Sequence, residues 1–107
     1  MSGAFGTIRG FLHRAPELKK SKSGNDYSMA TLKVKDGNET KFWRVMAFKD
    51  CAQRLMQFGE GDAASAEGSI KIDTYEKDGT TRIGYTLMAN DVEPYFPKTD
   101  KRSEVRI

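Results

Sequence analysis

Lys41 to Phe58, read KFWRVMAFKDCAQRLMQF, constrains the chain more than any other stretch. It opens as an apolar and aromatic run with one Arg inside it, then changes period at Lys49-Asp50. Successive side chains of a strand point to opposite sides, so Trp43, Val45 and Ala47 share one face and Phe42, Arg44, Met46 and Phe48 the other. Past the change, Cys51, Leu55 and Phe58 fall at i, i+4 and i+7, one apolar face of a short helix over about 51–58. Asp50 is placed to cap its start and Gly59 its end. A strand with aromatics on both faces is either covered by protein on both sides or keeps one face for a flat, apolar ligand. An Arg between two Phe residues points to a ligand that also carries phosphate, because bases stack on rings and phosphates pair with guanidinium.

The rest of the chain reads as further strands. Thr7 to His13 alternates, with Ile8, Gly10 and Leu12 opposite Arg9, Phe11 and His13, and Pro16 bends the run before Leu18 to Lys22 continues it. Ser23 to Asp26 is a turn. Tyr27 to Lys35 sets Ala30, Leu32 and Val34 against Thr31, Lys33 and Lys35, a half-buried strand with two Lys on its open face. Asp36 to Glu39 is a hairpin turn into the aromatic strand. After Gly59 to Asp62, Ala63 to Glu76 reads as a fourth strand in which Gly68 marks a bulge or bend. Asp78-Gly79 carries a hairpin signal, and a fifth strand alternates through Ile83, Tyr85, Leu87 and Ala89.

Three strands, a helix and two strands is the element order of an OB-fold. The expected fold is therefore all-β, a five-stranded Greek-key barrel with one short helix between its third and fourth strands. At 107 residues the chain fits one domain, taken as 1–97, followed by a short charged tail, 98–107, expected to be flexible.

Charge and composition narrow the function classes. Residues 1–54 carry 11 Lys and Arg against 5 Asp and Glu, whereas residues 55–107 carry 7 against 10. A polyanion site built mainly from the first half explains that asymmetry, although ordinary fluctuation along a soluble chain explains it equally well. No apolar run approaches the roughly 20 residues of a membrane helix, and no secretory leader is visible. The single Cys excludes an intrachain disulfide framework and fits the cytoplasm. One His and one Cys are too few for a Cys/His metal site, Cys51 opens the apolar helix face, and there is no Gly-rich phosphate loop. Neither an enzyme nor a cofactor or metal is expected, and no small-molecule substrate.

Several short stretches, in order and spacing, resemble the bacterial-type single-stranded DNA-binding proteins over about residues 7–93. They are Gly10-Phe11-Leu12, Pro16-Glu17-Leu18, Ser23-Gly24, Phe42-Trp43-Arg44-Val45 through Phe48, Gly61-Asp62, Glu67-Gly68 and the Asp78-Gly79 hairpin. The resemblance implies base stacking on aromatics of the third and fourth strands, with the family's stacking positions falling on Phe42, Phe48 and Tyr75. Trp43 stands where the family has a His at a subunit contact, so it is a candidate interface or core residue in place of a stacking one, and it is kept among the candidate nucleic-acid contacts as well. A further family Trp, in the hairpin between the second and third strands, has no counterpart here, and Phe11 replaces a customary Asn. The family's long tail with an acidic, Phe-ended tip also lacks a match, since residues 94–107 carry four Lys and Arg against two Asp and Glu.

The expected nucleic-acid contacts are thus Phe42, Arg44, Phe48, Tyr75, Lys33, Lys35 and Trp43. The expected function is sequence-tolerant binding of single-stranded DNA that protects unwound strands in replication, recombination and repair. The expected assembly is a homotetramer, with a dimer as the second choice. The competing reading is an OB-fold protein-interaction or replication-restart factor with weak nucleic-acid binding. On that reading Lys33, Lys35 and Arg44 are a solvated sheet face and Tyr75 an ordinary exposed hairpin residue.

Overall fold

The computed structural model describes residues 4–96. Its elements are β1 (Ala4–Leu12), β2 (Glu17–Lys20), β3 (Asp26–Asp36), β4 (Glu39–Phe48), α1 (Lys49–Leu55), β5 (Ala63–Lys77) and β6 (Thr80–Pro94). The bend at Pro16 separates β1 from β2, so the expected first strand and its continuation are two elements. The hydrogen-bonded order is β1-β5-β6-β4-β3-β2, and β1 also pairs with β3. That last pairing closes five strands into a ring, with β2 attached outside it along β3. β6 lies parallel to β4 and antiparallel to β5. The expected barrel and the place of its helix are both present.

Closure depends on backbone approaching backbone. β1 meets β3 through Phe11 opposite Lys33 and Leu12 opposite Leu32. A Cβ on Gly10 would lie 2.2 Å from the Lys33 carbonyl oxygen, so only glycine fits this seam. Gly68 serves the β5–β6 pair in the same way, since a Cβ there would lie 2.0 Å from the Met88 carbonyl oxygen. The irregularity expected at Gly68 is present, but the extra residue sits on the partner strand. Glu67 faces Asp91 and Gly68 faces Ala89, which leaves Asn90 unpaired.

The core takes the inward residues of each strand: Ile8 and Leu12, Ala30 and Leu32, Val45 and Ala47, Ala64 and Ala66, Leu87 and Val92. α1 plugs one end with Cys51, Ala52 and Leu55. Ser28, fully buried on β3, donates its hydroxyl to the Ala52 carbonyl at 3.0 Å and so ties the helix to the sheet.

The helix ends differ from expectation. β4 runs into α1 without a loop, so Phe48, still extended, occupies the cap position with no side-chain hydrogen bond, and Lys49 turns the chain at φ 58°. Asp50 lies inside the first turn, where its charge complements the helix dipole without capping it. The helix ends three residues earlier than Phe58. Gln57 and Phe58 donate to the carbonyls of Arg54 and Leu55, bonds that span three residues and tighten the last turn. Phe58 still packs against the core. The left-handed residue of the following loop is Gly61, φ 85°, while the Gly59 N–H is taken by the Asp62 carboxylate at 2.7 Å. The charged tail expected at 98–107 lies outside the described residues.

Candidate nucleic-acid interface

The two hairpin turns decide which side chains stand together. Gly37, φ 66°, and Asn38 join β3 to β4 by a two-residue turn. Its register pairs Tyr27 with Phe48, Met29 with Met46, Thr31 with Arg44, Lys33 with Phe42 and Lys35 with Thr40. Asp78 and Gly79, at φ 55° and 78°, join β5 to β6 and pair Tyr75 with Arg82. The parallel β4–β6 register places Thr86 beside Arg44 and Met88 beside Met46. Directly paired residues point to the same side of a sheet, so all of these form one continuous outer face.

On that face Phe42 is 50 % exposed, and the His13 ring meets it edge-on at 5.3 Å. His13 is held there because its N–H donates to the Thr31 carbonyl at 2.8 Å. Phe42, Arg44, Tyr75 and Arg82 line one open groove of about 970 Å³ between β4 and the β5–β6 arm. Tyr75, 49 % exposed, lies beside Gly84, where an added Cβ would make ordinary contact with the ring at 3.5 Å. Among the described residues neither Arg44 nor Arg82 pairs with a carboxylate, although Glu39 and Asp73 also border the groove. Lys33 and Lys35 are exposed on β3 beside it.

Phe48 stands on the same face as Phe42, six residues and about 20 Å further along β4. It is half-buried and stacks on Tyr27, ring centroids 5.4 Å apart and planes 28° apart. It borders a second hollow of about 730 Å³, beside α1 and the β2–β3 turn.

Trp43 points the other way, packs on the core and meets Tyr85 at 5.1 Å. Beyond it the inward side of the long arm leaves the barrel, with Ile72 58 % and Ile83 53 % exposed. The expected contacts therefore divide: Phe42, Arg44, Phe48, Tyr75, Lys33 and Lys35 share the outer face, and Trp43 belongs to the opposite one.

Arg82, Tyr27 and His13 join the face without having been singled out from the sequence. The first two were within reach, because residue numbers of paired positions are fixed once a two-residue turn is located. His13 gives no such signal, since its contact with Phe42 depends on how the barrel closes. Cys51 is buried, and that burial pushes its thiol above the ordinary range, which suits a core residue and not a nucleophile.

The arrangement offers flat rings at intervals along an exposed strand and cations between and beside them. Residues 6–95 match the model of the single-strand binding protein family. None of the curated proteins matches the chain. The fold is similar to the crystal structure of a small single-stranded DNA-binding protein from Streptomyces coelicolor, with a TM-score of 0.75 and 20 % identity over 89 % of this chain and 96 % of that one. It is also similar to a deletion mutant of the single-stranded DNA binding protein from Thermus aquaticus, TM-score 0.68 and 21 % identity, covering 88 % of this chain and 42 % of that one.

Proposed function

The chain belongs to the single-strand binding protein family, whose members bind single-stranded DNA and are not enzymes, and we propose that its outer sheet face carries that binding. Phe42, Phe48 and Tyr75 stack bases, while Arg44, Lys33 and Lys35 neutralise phosphates. The observation that carries the assignment is the common groove of Phe42, Arg44 and Tyr75, contributed by two hairpins distant in sequence. With rings to stack bases, side-chain cations to pair phosphates and no base-edge reader among the described residues, binding tolerates any sequence. The mechanism is passive: the strand is held extended, and unwound DNA in replication, recombination and repair is kept from re-pairing.

Trp43 is better assigned to self-association than to the groove. With Tyr85, Ile72 and Ile83 it forms an apolar surface on the reverse of the arm, which fits a homotetramer, with a dimer as second choice. No helix among the described residues is long and apolar enough to cross a membrane. A role at the bacterial nucleoid in the cytoplasm accords with the proposed task.

The test is anisotropy of a labelled oligo(dT) and of a labelled duplex of equal length. A labelled strand is preferable to intrinsic fluorescence because Trp43 faces away from the groove. Tight binding of oligo(dT) with much weaker binding of the duplex is expected; equal affinity for both would sink the proposal.

A further inference from the structure

Three methionines stand in a row across the middle of the outer face. Met29 pairs with Met46, and Met46 with Met88, on three adjacent strands. Strands lie about 4.8 Å apart, so the row spans about 10 Å. Met29 and Met46 are half-buried and Met88 is 37 % exposed, so all three side chains keep some surface open to a ligand. On one side of the row lies the Tyr27–Phe48 stack, and on the other lies the line Thr31–Arg44–Thr86 that borders the groove. Along β4, Met46 is two residues from both Phe48 and Arg44, about 7 Å each way. The row is therefore continuous with both groups of expected contacts and fills the gap between them.

A sheet face left to water does not need long, unbranched apolar side chains across three strands. Methionine is flexible and polarizable, and its sulfur makes favourable contacts with aromatic rings, so it adapts to flat partners of different shape. We propose that Met29, Met46 and Met88 form a nucleobase-binding strip that joins the Phe48 platform to the Phe42–Arg44–Tyr75 groove. This rests on the single-strand reading above and adds a subsite to it. Rings grip bases at the two ends of the track, and thioethers carry them across its centre whatever the base.

The strip gives the protein a chemical sensitivity that rings alone do not. A peroxide transfers one oxygen atom to a methionine sulfur. The O–O bond breaks, an S–O bond forms, the sulfur is oxidised by two electrons, and hydrogen peroxide leaves as water. The sulfoxide is polar and seeks water instead of a base, and methionine sulfoxide reductases reverse the change.

Oxidative footprinting of the full chain tests the proposal. Hydrogen peroxide is applied with and without saturating oligo(dT), and oxidation at each methionine is read by mass spectrometry. Oligo(dT) is expected to slow oxidation of Met46 and Met88 several-fold, and the oxidised protein to bind it about tenfold more weakly until reductase treatment restores affinity. The variant M29L/M46L/M88L is expected to bind oligo(dT) several-fold more weakly, because branched leucines adapt less well to flat partners, and to lose the response to peroxide. Equal oxidation of Met46 and Met88 in free and bound protein, or protection confined to Met56, overturns the strip. So does a Leu variant that remains as sensitive to peroxide as the wild type. The footprint needs no variant, so it decides the matter even if the triple variant does not fold. Failure of the untreated protein to bind oligo(dT) instead overturns the single-strand reading.

Discussion

Phe42 is half exposed and, among the described residues, meets the ring of His13, so truncating it removes a stacking surface without opening the core. Phe42→Ala is expected to weaken oligo(dT) binding by about 1–3 kcal/mol, the usual loss for one stacked base. Circular dichroism and the urea midpoint should stay near wild type; a variant that unfolds would make Phe42 a structural residue instead. Gly68 is the converse case, a residue whose role is structural. Gly68→Ala sets a Cβ against the Met88 carbonyl, and the backbone shift it forces is expected to cost about 1–3 kcal/mol in urea unfolding. An unchanged midpoint would show that the β5–β6 pair can open freely at that point. Strand alternation alone assigned most faces correctly at this scale, because a residue's side of a strand depends only on its parity. It placed Phe42 with Arg44 and Phe48, and Trp43 apart from them. It could not supply the His13–Phe42 contact, which joins residues brought together by closure of the ring, nor show how far Trp43 is covered by Tyr85.

Elements carry their own electrostatics, and α1 is fastened to β6 by one group of charges. Arg54 forms an ion pair with Asp91, and Glu93 hydrogen-bonds to Asp91 and is repelled by it. The shared hydrogen bond, with the repulsion second, holds the Glu93 carboxyl above its ordinary value of 4.5. A carboxyl raised in this way keeps its proton more firmly in the folded state than in the unfolded one. Its contribution to stability is present in acid and is lost as pH rises through its folded-state value. Glu93→Gln removes that loss. The gap in urea midpoint between variant and wild type, in favour of the variant, should widen from pH 4.5 toward neutrality. A constant gap would show that Asp91 and Glu93 do not share a proton. The hairpins were legible at this scale because Asp78-Gly79 and the glycine of the earlier turn name their own geometry. The helix ends were not, because tertiary contacts decided them: β4 continues into α1 without a capping loop, and Asp62 takes the Gly59 N–H that a cap motif would have used.

For the whole molecule, affinity for single strands should fall with salt, with a log–log slope of about −0.7 for each phosphate neutralised. Replacing Lys33, Lys35 and Arg44 with Gln, and Arg82 in a separate variant, should make the slope shallower. An unchanged slope in the triple variant would move the strand's path to another face. Light scattering at tens of micromolar should report an oligomer, and Ile72→Glu, at an exposed residue that does not line the groove, should shift it toward monomer while leaving oligo(dT) contacts in place; a wild-type monomer refutes the assembly. The barrel itself was legible from the order of its strands and helix. The reverse of the arm was not, since Ile72 and Ile83 continue the inward alternation of a core strand, and only the folded chain shows that they run past the barrel's edge into the open.

The position of β6 in the ring bears on how this protein comes into being on the ribosome. β6 is the last of the described strands to be made, yet it lies between β4 and β5, and its parallel pairing joins Trp43 to Tyr85 and Ala47 to Ala89. Until it has left the exit tunnel, β4 and β5 each keep an unpaired side and the ring cannot shut. Pairings so distant along the chain make folding slow, and open strand edges invite aggregation. The nascent chain therefore carries one edge of its aromatic strand unpaired until β6 is made, and the barrel closes only after synthesis has passed Pro94.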